Sequence, residues 1–174
     1  MTRASLTAYA PRTMTNLAGY RYRGARALVM LHERELRAFL ATFRRAQAWG
    51  VSLPETEDKD YASLATLLRH VLGAAGGYLK WAAKVLELPD PGIDPVPSVE
   101  EIDAEAEAYL EHVLDRWWSP LRGVPEERFE VAFPSNWGTP YSVDAMLEHA
   151  VAHPMRHAFQ LEELMGERTR ETEG

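Results

Sequence analysis

Apolar residues recur every three or four positions along four stretches of the chain, and between those stretches the pattern breaks on proline and glycine. The first stretch extends from about Asn16 to Trp49. Leu28, Leu31, Leu36, Phe39, Leu40 and Phe43 fall at helical spacing within it, with charges between them, and Gly50 and Pro54 stop it. The second begins near Asp60, carries Leu64, Leu67, Leu68, Val71, Tyr78 and Val85 on one side, and ends at the proline cluster from Pro89. Gly73, Gly76 and Gly77 lie inside it. Each costs about 1 kcal/mol relative to alanine in an exposed helix, so close approach by a neighbour is expected there.

The connector PDPGIDPVP is too rich in proline for a helix or a central strand, and is long enough to cross the end of a bundle. Ser98 with Glu101 reads as a capping box opening a third helix, whose core face is Ile102, Ala106, Tyr109, Leu110, Val113, Leu114 and Trp117. Pro120 and Gly123 close it. The run RFEVAFPSNWGTPYSV is an irregular excursion with the alternation of a short hairpin. Ser142 caps a fourth helix, Asp144 sits in its first turn, and Gly166 is its expected stop. The resulting expectation is an all-α four-helix bundle over residues 16–166, with an extension over 1–15 and a polar tail over 167–174.

Composition narrows the function. The chain has 174 residues, a formal charge of -7 and no cysteine. Without cysteine there is no disulfide, no thiolate ligand and no thiol nucleophile of the protein's own, so thiol chemistry requires an external thiol. The acidic balance disfavours nucleic acid as a partner, since that binding relies on clustered Lys and Arg. No segment approaches the roughly 20 apolar residues of a membrane span, and a cytoplasmic location is the expectation.

The candidate chemistry lies in histidine. His153 and His157 are four residues apart on one helical face, and His70 lies in another apolar helix. Three imidazoles from two helices can hold one ion and leave positions open, as in catalytic sites. His149 extends the series, and spacing alone does not choose between His149/His153 and His153/His157. Pro154 should bend the helix, which either aims His153 inward, the favoured outcome, or misplaces the pair and leaves the site degenerate. His32 and His112, among charged residues, are expected to face solvent. Tyr78, Trp81, Trp137 and Tyr141 are candidate pocket walls. Glu33 and Glu148 are candidate bases by proximity alone.

The run from His153 to Gln160, H-P-M-R-H-A-F-Q, resembles the H-x-x-x-H-R-x-Q signature of the last helix of the DinB/YfiT-like superfamily, in which a partner histidine lies midway along the second helix, as His70 does. The likeness spans about Asn16 to Gly166. It implies up-down-down-up connectivity with long connections after helices two and three, frequent homodimers, and a zinc or nickel ion on His70, His153 and His157, with Gln160 at the motif glutamine. Ala158 stands where the motif has arginine, and Pro154 where an acidic residue is common. Relatives include S-transferases and isomerases that use a low-molecular-weight thiol cosubstrate such as bacillithiol or mycothiol. The resemblance therefore implies a metal-dependent thiol S-transferase or hydrolase acting on a small molecule. The alternatives are a non-catalytic metal- or ligand-binding stress module, and a structural dimer without metal.

Overall fold

A computed structural model of the chain describes residues 19–173, and the expected 1–15 extension lies outside the described residues. The described part holds four α-helices: α1 (Arg23–Ala48), α2 (Leu64–Val85), α3 (Ile102–Trp117) and α4 (Val143–Glu173). A two-stranded antiparallel hairpin, β1 (Ala132–Pro134) with β2 (Pro140–Ser142), precedes α4, with Phe133 opposite Tyr141. No helix among the described residues is long and apolar enough to cross a membrane.

Cross-helix partners set the directions. Tyr22 bonds Asp144 at one end and Arg45 bonds Glu162 at the other, so α1 and α4 run the same way. Arg44 pairs with Asp103 and Glu107, Arg37 with Glu111, and Glu33 accepts from Trp118, so α3 runs opposite to α1. His70 faces His153 and Tyr78 faces His149, so α2 runs opposite to α4. The apolar sides close on one core in which Leu36, Phe39, Leu68, Leu79, Ile102 and Trp117 are buried.

The helix ends follow local chemistry. Gly50 takes a φ of 65°, and its N–H and that of Val51 return to Gln47 and Ala46, the αL closure expected of α1. α1 begins at Arg23 rather than at Asn16, since residues 19–22 are not helical. α2 begins at Leu64 rather than near Asp60. Ser63 and Thr66 form its capping box, and residues Lys59–Tyr61 make a separate 3-10 turn. α2 closes in the same geometry as α1, with Glu87 at a φ of 56° in the position glycine normally takes.

α3 starts at Ile102, and the box expected at Ser98 is only half built. The Glu101 carboxylate accepts the Ser98 N–H, but the Ser98 hydroxyl engages Glu100 and caps nothing in the helix. At α4 the Ser142 hydroxyl accepts the Ala145 N–H, as expected of a cap. α4 runs past Gly166 to Glu173, because Leu161 and Met165 keep their face on the core through that point. Gly76 meets the expectation of close approach, since a Cβ there would lie 3.0 Å from Ile93 of the connector. Gly77 does not, having open space instead.

Two histidines differ from expectation. His32 is 1% exposed, packed on Trp117, and neither ring nitrogen has a hydrogen-bond partner. His112 is half-buried, and its Nε2 accepts the Asp94 N–H at 2.9 Å, pinning the connector to α3.

Candidate metal centre

α4 places His153 and His157 on one face and α2 brings His70 opposite them, so the i, i+4 pair and the third imidazole converge. His70 Nε2 lies 3.0 Å from His153 Nε2, and His157 Nε2 lies 3.4 Å from the same atom. One nitrogen from each of the three lies within 4.8 Å of the others. Donors about 2.0–2.1 Å from a common ion stand about 2.9 Å apart at right angles and about 3.4 Å apart at the tetrahedral angle. The two closest separations match those values.

Hydrogen bonds fix which nitrogens face inward. Asp60 Oδ2 lies 3.0 Å from His70 Nδ1, and Gln160 Oε1 lies 2.9 Å from His157 Nδ1. An oxygen acceptor keeps the proton on Nδ1, so Nε2 of each presents a lone pair. Two lone pairs are thus aimed at the third imidazole, which has a single Nε2 to offer. One proton cannot satisfy both, whereas one cation can. His153 Nδ1 is buried without a partner, so this imidazole is held by packing rather than by an acceptor.

Electrostatics point the same way. Burial, reinforced by the neighbouring imidazoles of His157 and His70, lowers the His153 pKa to about 2. Burial also lowers that of His157, against an opposing pull from Gln160. Both are therefore neutral near pH 7, the state a metal ligand requires. This group of three histidines can hold a metal ion.

A cleft of about 440 Å³ opens beside the group, lined by His70, His153, Tyr78, Trp81, Trp137 and Arg156 among others. The Trp81 indole donates to the Pro134 carbonyl at 2.9 Å and so anchors the hairpin that carries Trp137. Tyr141 does not line the cleft. It packs behind the wall, 5.4 Å from the Trp137 ring and 5.8 Å from that of His149. His149 lines the cleft outside the three-histidine group, its ring 6.0 Å from that of His153. α4 continues helical through Pro154 with His153 turned inward. The proposed bases are elsewhere: Glu33 bonds Arg37 and Trp118 on the α3 side, and Glu148 is exposed outside the cleft.

Three residues at the site lack a legible signal in the sequence. Asp60 reads as the start of a helix, and only the break at Ser63 turns it back toward His70 ten positions later. Tyr61, on the same turn, packs its ring 5.7 Å from His70 and 5.5 Å from His157. Arg156 sits inside the histidine motif, three positions after His153 and so on the same side of α4.

No family model matches the chain, and neither a curated protein nor a solved structure does. Function is therefore read from the site's own chemistry.

Proposed function

We propose that the chain is a divalent-metal-dependent enzyme of the DinB/YfiT type, a thiol-dependent S-transferase or a hydrolase, with the ion on His70, His153 and His157. The observation that carries this reading is the convergence of Nε2 atoms whose opposite nitrogens are held by Asp60 and Gln160. The opposed directions of α2 and α4, with α1 parallel to α4 and α3 antiparallel to α1, agree with up-down-down-up connectivity. An all-nitrogen donor set suits zinc or nickel. Bound there, a divalent cation supplies Lewis acidity that brings the pKa of a water or thiol toward neutrality.

The chain's own residues do the positioning. Asp60 and Gln160 hold protons on Nδ1 of His70 and His157, which fixes ring orientation and strengthens the opposite nitrogen as a donor. Tyr78, Trp81 and Trp137 form an apolar wall that limits water. Since the chain has no cysteine, the thiol enters as a cosubstrate.

A second reading, a metal-binding module without turnover, is favoured by one observation: no carboxylate lines the cleft among the described residues to act as a general base. Thiol consumption against a chloro-bimane electrophile separates the two, comparing bacillithiol, mycothiol, glutathione and no thiol. Turnover that requires the metal and disappears in His70→Ala supports the enzyme. Stoichiometric metal binding with no turnover under any condition supports the module. The family resemblance also leads us to propose a homodimer, which sedimentation velocity reads directly.

A further inference from the structure

Arg156 lines the cleft, is exposed, and forms no ion pair among the described residues, whereas Arg37, Arg44 and Arg45 are each matched to a carboxylate. Among the described lining residues it is the one permanently charged group, in a chain of net charge -7. Its charge reaches Tyr61, Tyr78, His149, His153 and His157, the rings that surround the inner end of the site. Three positions after His153, it stands beside that ring on the same side of α4. The amide of Asn136 borders the same opening from the hairpin. The remaining walls are flat or apolar: Tyr78, Trp81, Trp137, Met146 and Ala74.

We infer that this cleft takes an organic carboxylate with a planar apolar body, its carboxylate held by Arg156 and its body laid along Trp137 and Tyr78, so that it extends across His153 toward the three-imidazole group. A single guanidinium fork matches a carboxylate in both oxygens, whereas a phosphate dianion draws several cations or backbone donors, of which this opening offers no second charge. Arg156 acts here in binding and orientation. The inference rests on the cleft being the substrate site of the enzyme proposed above, and its test reads Arg156 separately from the metal.

The probes are 3-phenylpropionate and its neutral amide, 3-phenylpropanamide, titrated by calorimetry and tryptophan fluorescence. Each is run with EDTA-treated and with zinc-supplemented protein, for the wild type, Arg156→Gln and Arg156→Lys. The wild type should bind the acid about tenfold more tightly than the amide in both metal states, the gain of one charge-assisted pair. Arg156→Gln should reduce that preference to twofold or less, and Arg156→Lys should keep part of it. Binding of neither probe overturns the inference, as does a preference that survives Arg156→Gln. A preference confined to zinc-supplemented protein and indifferent to Arg156 also overturns it, placing the carboxylate on the cation and leaving the metal reading intact. An Arg156-dependent preference in a protein that takes up no zinc supports the inference and removes the metal reading alone.

Discussion

His32 lies against the Trp117 ring with 4.4 Å between centroids, and burial lowers its pKa to about 3 from an ordinary value of 6.5. The folded state therefore holds His32 neutral while the unfolded chain takes up a proton below pH 6.5. Stability from this group is complete above that pH and is lost progressively as pH falls toward 3. Between pH 7 and pH 5 the loss is about 2 kcal/mol. Urea midpoints at the two pH values should differ less in His32→Leu than in the wild type. Its burial is hidden in the sequence because Glu33, Arg34 and Glu35 follow it directly, yet Glu33 and Arg34 lie on other faces and only Glu35, three positions on, borders its side. The residues that share its face are Leu28, Val29 and Leu36, which are apolar. At the site, the motif spacing itself exposes His153 and His157. Asp60 is invisible to spacing because it reaches His70 across a turn. Asp60→Asn and Gln160→Ala should each weaken zinc binding about 10- to 100-fold by chelator competition, while leaving the helical circular-dichroism signal intact.

At the scale of the element, the closures of α1 and α2 pose the same conformational demand and answer it differently. Gly50 adopts its positive φ at no steric cost, whereas Glu87 holds a φ of 56° with a full side chain. Glu87→Gly should therefore raise stability by about 0.5–1 kcal/mol, read as a higher urea midpoint at unchanged slope. Gly50 is legible in the sequence because glycine after an amphipathic run signals closure. Glu87 is not, because nothing in a glutamate announces αL, and the prolines after it draw the eye instead. Gly166 misleads in the other direction. Leu161 and Met165 stay buried across it, so packing outweighs the local preference to stop and α4 continues. Pro154 likewise leaves α4 helical, since burial of His153, Pro154 and His157 holds the turn that the missing N–H weakens.

For the whole molecule, the periodicity is sufficient to give four helices and the hairpin, because each helix has an amphipathic face and each connection has its own breakers. The side-by-side placement of α2 and α4, which makes the site, follows from cross-helix contacts that no single segment contains. Their coupling through a common ion has a thermodynamic consequence. Zinc bound to the folded chain alone, at a free concentration about 100-fold above its dissociation constant, should stabilise by about 2.7 kcal/mol. That corresponds to a rise of about 5–10 °C in Tm for a chain of this size, absent in His157→Ala. The most direct test is elemental analysis of untagged protein purified without added chelator, for the wild type and for His70→Ala, His153→Ala and His157→Ala. The account predicts about one zinc or nickel per wild-type chain and loss of that metal in each variant. A metal-free wild type, or variants that retain the ion in full, would contradict it.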